Sequence, residues 1–506
     1  MDARIDLYSH YFIFSPYNQS MRQLAHTFSK RFLFISPLYN KKGQLVSEQI
    51  KMFAAANEDR SMIRYHRNAY DDFIAYLKDR YVSFDKIETV EHPIPVSTPV
   101  EFLLNTIYQP RENQIDVIDF IVDEEKPRFK LLALDTGEGK TISTFFAMAQ
   151  MRKRTVAIMR PGYIDRWIDE IKKVLINPKV IMVVGADLKK FIQKVKAGEL
   201  EYDIALISNK TYYFFLKTYE KLGKDIALDE YGCTPDTFFE TVHADFRVID
   251  EVHQDFHFNF RLDLYSHVHS SLSLSATLEH ANGFLEKMYG IAYPKENRYY
   301  TKGAIKFRKM TCLFYSVHPK YDIKDANRGL NAYSQLVYEK SILKNKRVLI
   351  DYLKMVEKTV YDYFIVRRAP QDKLIIFASS ENMCKEVTDY LKKKYPDIAI
   401  AKYTGADDYE NLIDPTIRVT TPGSGGTSHD IPNLTTTITL IAVDSLQTNL
   451  QMFGRLRYIK NKDLNFVCLI NQDHPKHMMY HRKREKLLKS KCLAIRHTVH
   501  PTVLGA

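Results

Sequence analysis

The sequence predicts an α/β protein that has two parallel-sheet lobes, a small N-terminal α/β domain and a helical insertion. Its length of 506 residues is enough for two or three hydrophobic cores. Two series of short apolar runs alternate with amphipathic stretches, an alternation typical of a parallel sheet covered by helices on both faces. A segment with three prolines, residues 91–99, precedes the first series. Proline disfavours regular structure in the residues around it, so a domain boundary is expected there.

These observations predict that the chain is divided into four segments. Residues 1–98 form an accessory domain whose part in substrate binding is left open, and residues 99–299 form the first lobe. Residues 300–475 form the second lobe, with the helical insertion near 331–364, and residues 476–506 form a basic C-terminal tail. The predicted strands of the first lobe are Leu131–Leu134, Thr155–Met159, Val180–Val184, Ile204–Ile207, Arg247–Ile249 and Ser271–Leu274. Those of the second lobe are Cys312–Val317, Leu374–Phe377, Ile398–Lys402, Arg418–Thr420, Ile438–Ala442 and Phe466–Ile470.

The charge is basic and unevenly distributed. Lys and Arg number 73 against 61 Asp and Glu, a formal net charge of +12. Residues 473–506 contain eight basic and two acidic residues, so half of the excess lies in this short segment. A cluster of this kind suits the phosphates of nucleic acid, and a solvated helix face is the alternative interpretation.

The composition disfavours membrane, secreted and disulfide-rich classes. No apolar run approaches the roughly 20 residues needed to cross a bilayer, and the first residues lack the layout of a secretory signal. The five cysteines are widely spaced without a Cys-x-x-Cys pair, which argues against a disulfide framework or a zinc module. We therefore expect a cytoplasmic protein with no membrane partner.

The run from Leu131 to Thr141 predicts a phosphate-binding loop. An apolar strand ends in a glycine turn, and a Lys-Thr pair opens a helix. Backbone N–H groups and the helix dipole would surround a polyphosphate, Lys140 would reach its β- and γ-phosphates, and the Thr141 hydroxyl would hold Mg²⁺. A purely structural glycine turn is the alternative.

Three later segments complete a catalytic pattern. Asp250 and Glu251 follow an apolar strand, where the first can hold the same Mg²⁺ and the second can polarise the attacking water. Small hydroxyl residues end the strand at Leu272–Thr277 and could sense the acidic pair. Far downstream, Gln451–Arg457 supplies an arginine that can stabilise charge developing on the γ-phosphate.

In this order, Gly-x-Gly-Lys-Thr, Asp-Glu-x-His, Ser-Ala-Thr and Gln-x-x-Gly-Arg resemble the motifs of superfamily 2 helicases and translocases, over roughly residues 108–470. Further motifs that resemble the family are Arg111–Gln114, Pro161–Trp167, Lys373–Ser379, Thr420–Thr427 and Asp430–Pro432. The small N-terminal unit and the Asp-Glu-x-His (DExH) box look most similar to phage UvsW-type recombination helicases. The resemblance implies two tandem RecA-like lobes, with ATP and Mg²⁺ as cofactors and nucleic acid as the partner. It favours DNA over RNA, in replication, recombination or repair within a host cytoplasm.

The resemblance also implies roles for individual residues. The implied catalytic residues are Lys140, Asp250, Glu251, Gln451 and Arg455, with Thr141 and Asp250 as metal ligands. The implied ATP-binding residues are Arg111, Gln114, Thr136, Gly137, Glu138, Gly139, Lys140, Thr141 and Arg457. The implied coupling residues are His253, Ser275, Ala276 and Thr277. The implied nucleic-acid contacts are Arg160, Pro161, Trp167, Thr421 and Gly426, with core packing as the alternative for Trp167.

Two departures from the family pattern keep alternatives open. Leu134 stands where the phosphate loop usually has Ala or Gly, and Arg457 comes six residues after Gln451 instead of seven. Arg455 is therefore the better candidate for the arginine finger. An RNA helicase is one alternative function, because the DExH box occurs in RNA and DNA helicases. A nucleic-acid-binding protein with an inactive ATPase is the other.

Overall fold

The structure is a computed structural model, and it describes two compact units. It describes the whole chain except residues 40–44, 126–127, 135–136, 276–282, 301–305, 327–332, 405–406, 409, 426–430 and 460. The first unit holds the described residues of 1–38 and 46–301, and the second holds those of 39–45 and 302–506. Over these residues, every helix is too short or too polar to cross a lipid bilayer.

The N-terminal segment forms a small mixed sheet with two helices. Its elements are β1 (Ala3–Leu7), β2 (Tyr11–Pro16), α1 (Gln19–Ser29), β3 (Leu33–Tyr39), β4 (Leu45–Met52), β5 (Ala55–Ala56), β6 (Ile63–His66), α2 (Tyr70–Lys78) and β7 (Ile87–Glu91). The main sheet has the order β5-β6-β2-β1-β7, in which β1 and β7 are parallel and the other pairs antiparallel. Strand β1 alternates buried and half-buried residues, as expected for a strand with one face on a core.

This small sheet shares one hydrophobic core with the first parallel sheet, because a single buried cluster contains residues of both. Polar contacts add to the packing. Arg64 donates two hydrogen bonds to the carboxylate of Asp236, at 2.5 and 3.0 Å. The imidazole Nε2 of His10 lies 2.7 Å from the buried hydroxyl of Ser271. The N-terminal segment is thus packed against the remainder of the first unit.

The first unit also contains a seven-stranded sheet in which every pairing is parallel. Its strands are β9 (Phe129–Ala133), β10 (Thr155–Met159), β12 (Val180–Val183), β13 (Ile204–Ser208), β14 (Phe246–Ile249), β15 (Ser270–Ser275) and β16 (Arg298–Tyr300). A separate pair joins β8 (Leu103–Leu104) to β11 (Leu175–Ile176). The helices are α3 (Glu112–Val122), α4 (Lys140–Met151), α5 (Pro161–Val174), α6 (Asp187–Lys196), α7 (Asn209–Tyr231), α8 (Phe238–Thr241), α9 (Phe256–Asp263) and α10 (Gly283–Ala292).

The strand order positions the candidate site. The sheet runs β12-β13-β10-β14-β15-β9-β16, so β14, β15 and β9 are consecutive neighbours. Successive residues of the central strands β10 and β13 enter two different hydrophobic clusters, one on each face of the sheet. Because parallel strands end at the same edge, the segments after β9, β14 and β15 lie side by side there.

The second unit repeats this architecture with another seven-stranded parallel sheet. Its strands are β17 (Arg308–Val317), β18 (Lys373–Phe377), β19 (Ile400–Tyr403), β20 (Ile417–Thr420), β21 (Leu434–Thr439), β22 (Leu464–Asn471) and β23 (Cys492–Leu504). Its helices are α11 (Gln335–Lys344), α12 (Lys346–Val360), α13 (Glu381–Lys394), α14 (Glu410–Ile413), α15 (Pro422–Gly425), α16 (Leu446–Phe453) and α17 (Pro475–Leu488). The order is β19-β20-β18-β21-β22-β17-β23, again with a hydrophobic cluster on each face.

The predicted fold class is confirmed, with local differences. The strand predicted at Ile438–Ala442 lies earlier, at Leu434–Thr439, because five β-branched residues there favour extended backbone. Most of the predicted insertion near 331–364 forms α11 and α12, which pack on one face of the second sheet. Residues 476–506 form most of α17 and the edge strand β23.

Candidate nucleotide-binding site

A glycine turn joins β9 to α4 at the edge of the first parallel sheet. Leu134 is buried directly after β9, and helix α4 begins at Lys140. Gly137 and Gly139 have φ angles of 92° and 84°, in the left-handed region that favours glycine. The turn therefore depends on these two glycines. The predicted loop residues Glu138 and Thr141 lie on either side of Gly139 and Lys140.

Gln114 from α3 supports this turn. Its Nε2 donates to the carbonyl of Gly139 at 3.3 Å, and its Oε1 accepts from the backbone N–H of Arg111 at 2.9 Å. A Cβ on Gly139 would lie only 2.1 Å from the Gln114 Nε2. Gly139 is thus required both for its backbone conformation and for the close approach of this buried amide.

Lys140 folds back over the turn that it closes. Its ammonium Nζ donates to the carbonyl of Leu134 at 2.8 Å. The half-buried Thr141 follows in the first turn of α4. The first backbone N–H groups of a helix lack partners within the helix and attract anions. A cation, a hydroxyl and a helix N-terminus therefore converge next to the glycine turn.

Asp250 lies just after β14. One carboxylate oxygen accepts from the indole N–H of Trp167 at 2.8 Å, and the other accepts from the backbone N–H of Glu251 at 2.9 Å. Burial and the nearby charge of Glu251 raise the pKa of Asp250 to about 6, and the positive charge of Lys140 acts in the opposite direction. Lys140 follows β9 and Asp250 follows β14, two strands that flank β15, so both residues lie at the same edge of the sheet.

Glu251 and His253 continue the site towards the end of β15. Glu251 has a φ of 51°, a left-handed conformation that costs a non-glycine residue about 1–2 kcal/mol. His253 Nδ1 lies 3.3 Å from the Glu251 carboxylate and 2.9 Å from the hydroxyl of Ser275. One buried imidazole therefore joins the acidic pair to the strand between β14 and β9, the location expected for a coupling element.

The predicted nucleic-acid residues of the first unit fall into two environments. Arg160 and Pro161 are exposed at the start of α5, and the Arg160 guanidinium donates to Asp255 at 2.9 Å. Trp167 is only 1% exposed and packs edge-on against Phe145 with 5.4 Å between ring centroids. So deeply buried a ring offers no face to nucleic acid. The structure places Trp167 in the core as a support for Asp250, not at a binding surface.

The motif residues of the second unit occur near α15 and α16. Gln451 is half-buried in α16, Arg455 is buried just beyond its end, and Arg457 is half-buried. Thr421 lies at the start of α15, where its hydroxyl accepts from the backbone N–H of Ser424 at 3.3 Å. Four other predicted residues lie outside the described residues: Thr136, Ala276, Thr277 and Gly426. All of these roles stay predictions.

The sequence reasoning missed a polar network beside Arg160. Asp255 accepts from Arg160 and also from the amide of Asn209, both at 2.9 Å. Asn209 directly follows β13 and Arg160 directly follows β10, two neighbouring strands. Polar residues at the carboxyl ends of adjacent parallel strands were the available signal.

Comparison with known proteins supports the same kind of site. Residues 107–280 match the family model of the type III restriction enzyme res subunit, ResIII. No curated protein matches the chain. Mss116p, solved with single-stranded RNA and AMP-PNP, is 17% identical with a TM-score of 0.52, covering 77% of this chain and 74% of Mss116p. A Vibrio vulnificus protein assigned as the HsdR subunit of a type I restriction enzyme is 13% identical with a TM-score of 0.50, covering 96% of this chain and 83% of the other. Dbp5 of S. cerevisiae, solved with Gle1, is 13% identical with a TM-score of 0.50, covering 78% of this chain and 90% of Dbp5.

These comparisons agree with the fold and with the general family resemblance. The two parallel-sheet units have the tandem RecA-like fold of those structures. The ResIII match contains the glycine turn, Lys140, Asp250 and Glu251. The comparisons therefore show a likeness to the ResIII family over residues 107–280 and, over the two units, a likeness of fold. The narrower similarity to UvsW-type helicases stays a prediction.

Proposed function

We propose that this protein is an ATP-driven helicase or translocase that acts on nucleic acid, with DNA as the substrate. The observation that carries the proposal is the convergence of Lys140 and Asp250 at one edge of the first parallel sheet. A lysine at a helix N-terminus after a left-handed glycine turn suits phosphates. A carboxylate at the end of a nearby strand suits the accompanying Mg²⁺.

The chemistry of these side chains fits a magnesium nucleotide. Thr141 and Asp250 supply the hydroxyl and carboxylate oxygens that Mg²⁺ prefers. The ammonium of Lys140 is held over the turn by one carbonyl, a contact that phosphate oxygens can replace. Bound MgATP would supply the γ-phosphoryl group for transfer to water. Glu251 would orient and polarise that water, with His253 fixing the position of its carboxylate.

The contact of Gln114 with adenine stays a prediction. Both ends of its side-chain amide bond to protein groups, namely Gly139 and Arg111. We therefore propose that Gln114 also holds the phosphate loop in shape.

The environment of Leu134 argues against an inactive ATPase. Leu134 is 2% exposed and belongs to the same hydrophobic cluster as Leu132 and Phe145. The larger side chain is accommodated in the core beneath the sheet, and its carbonyl still faces Lys140. This departure from the family pattern is therefore compatible with the contact between Lys140 and the Leu134 carbonyl.

The choice of DNA rests on the similarity to restriction-enzyme subunits. The family matched by residues 107–280 and the HsdR structure both come from restriction enzymes, whose substrate is DNA. The likeness to UvsW-type helicases in the sequence favours the same substrate. Mss116p, by contrast, was solved with single-stranded RNA, so RNA is the second candidate.

The experiment is ATP hydrolysis by the purified full-length chain with single-stranded DNA, forked DNA, duplex DNA or single-stranded RNA at matched nucleotide concentration. We expect forked or single-stranded DNA to stimulate hydrolysis, and the stimulation to fall steeply with salt because contacts to phosphates release counterions. Stimulation by RNA alone would identify the protein as an RNA helicase instead. A rate of hydrolysis that no nucleic acid changes would contradict the proposal of a nucleic-acid-driven motor.

A further inference from the structure

A second cluster of chemically reactive side chains lies in the second unit, on the sheet face covered by α17. Cys312 on β17 is in register with Cys468 on β22 and with His497 on β23. His481 and Glu485 are four residues apart on α17 and therefore lie on one side of that helix. Strand β17 thus meets α17 and β23, which lie more than 150 residues later in the sequence, at one point of the fold.

The geometry of this cluster is suited to a metal ion. One candidate ligand atom each from Cys312, His481 and His497 lies within 4.8 Å of the other two. The Glu485 carboxylate lies 3.3 Å from Nε2 of His481 and 3.0 Å from Nε2 of His497. Thiolate, imidazole and carboxylate are the three ligand types of protein zinc sites, which are usually four-coordinate.

A second observation is independent of these distances. His481 is 5% exposed, and its Nδ1 is buried without a hydrogen-bond partner. Leaving a buried polar atom unsatisfied costs about 1–3 kcal/mol, so such atoms usually have a function or a missing ligand.

An ion-pair network alone does not account for the cluster. Cys312 belongs to the hydrophobic cluster on this face of the sheet and takes no part in the pairs that Glu485 makes with the two histidines. The exposed half of His497, whose side chain is 47% accessible, leaves a route for an ion to enter.

We propose that Cys312, His481 and His497 form a zinc-binding site, in which the Glu485 carboxylate orients the two imidazoles. Sulfur and imidazole together select zinc over calcium or magnesium, which prefer oxygen ligands. Binding releases the thiol proton of Cys312 to solvent and leaves a thiolate on the metal. The ion would join α17 and the edge strand β23 to β17, and so fasten the C-terminal segment to the second sheet. This proposal does not depend on ATP hydrolysis.

The test is a cobalt(II) titration of the full-length chain, purified with a chelator that is then removed, followed by displacement with zinc. Tetrahedral cobalt absorbs strongly in the visible range, and a thiolate ligand adds a charge-transfer band in the near ultraviolet. We expect one cobalt per chain with both features, and tight displacement by zinc. Cys312→Ser should abolish the charge-transfer band, and His497→Ala should weaken zinc binding at least tenfold.

Two matched variants control for loss of a cysteine or a histidine elsewhere in the second unit. Cys384 is a buried cysteine in the opposite hydrophobic cluster, and His318 is an exposed histidine just beyond β17. Cys384→Ser and His318→Ala should leave the cobalt spectrum unchanged. If Cys312→Ser does not fold, His497→Ala and Glu485→Gln decide the matter, because both side chains are partly exposed.

Hydrogen exchange supplies a second readout in the same proteins. Zinc should slow amide exchange in residues 492–504 of wild type and of both controls, and should leave exchange in His497→Ala unchanged. The proposal is overturned if cobalt gives no tetrahedral spectrum, or if Cys312→Ser and His497→Ala bind zinc as tightly as wild type.

Discussion

Replacing Trp167 by Phe tests whether the buried indole controls the ionisation of Asp250. Phe keeps an aromatic ring against Phe145 and removes the N–H that donates to the Asp250 carboxylate at 2.8 Å. That hydrogen bond favours the ionised carboxylate, whereas burial and Glu251 disfavour it and raise the pKa to about 6. Loss of the bond should therefore raise the Asp250 pKa further.

The expected size of the effect follows from general magnitudes. A hydrogen bond to a charged group contributes about 1.5–3 kcal/mol, and one pH unit corresponds to about 1.4 kcal/mol. Allowing for partial replacement by water, the shift should be about one pH unit. Because Asp250 must be ionised to hold Mg²⁺, activity falls as the pH drops through its pKa. The acidic limb of the activity profile should thus move to higher pH in Trp167→Phe.

The assay is kcat/KM for ATP hydrolysis measured between about pH 5 and pH 9, because this ratio reports ionisations of the free enzyme. The matched control is Phe145→Leu, which disturbs the same packing and keeps the indole N–H. Both variants should lose roughly 1–3 kcal/mol of stability from imperfect packing. Only Trp167→Phe should shift the acidic limb. An unshifted limb in Trp167→Phe, or an equal shift in both variants, would refute the reasoning.

Three further substitutions probe the same site. Gly139→Ala should raise the KM for ATP at least about tenfold, because it strains a left-handed residue and displaces Gln114. The matched control is Gly232→Ala, which has a similar φ of 81° and open space around it and should leave the KM unchanged. Asp250→Asn should abolish hydrolysis and raise the melting temperature at pH 8. Because the pKa of the Asp250 carboxyl is raised to about 6 in the folded protein, the stability that this group contributes below about pH 4 is lost as the pH rises through about 6. Asn carries no charge and avoids that loss. A melting temperature below that of wild type at pH 8 would contradict this assignment. Ser275→Ala should keep ATP binding and lose stimulation by nucleic acid, and undiminished stimulation would remove Ser275 from the coupling path.

The parallel strands were largely predictable from the sequence. A strand buried on both faces is a short continuous apolar run, and the prediction at Thr155–Met159 coincides with β10. The edge strand β23 was not predicted from the sequence, because an exposed edge strand carries mixed polar residues and no apolar run. The individual strands of the small N-terminal sheet were not predicted, because they are short and their alternation of apolar and polar residues is weak.

The order and spacing of the motifs in the sequence predicted which segments form the candidate site, but not the directions in which their side chains point. The motif order placed Lys140 and Asp250 near the ends of nearby strands, and in the structure both residues lie at the same edge of the sheet. The same motifs could not show that Trp167 points inward, because one helix offers both a core face and a surface face. Nor could spacing reveal the cluster around Cys312, which lies more than 150 residues before the two histidines in the sequence.

The most direct test of the central claim is ATP hydrolysis with and without single-stranded DNA, in wild type, Lys140→Ala and Lys189→Ala. Lys189 is an exposed lysine on α6 of the same unit and serves as the matched control. We predict DNA-stimulated hydrolysis in wild type and Lys189→Ala, and a loss of at least about a hundredfold in Lys140→Ala, because its ammonium stabilises the phosphates undergoing transfer. Equal hydrolysis in Lys140→Ala and wild type would contradict the account.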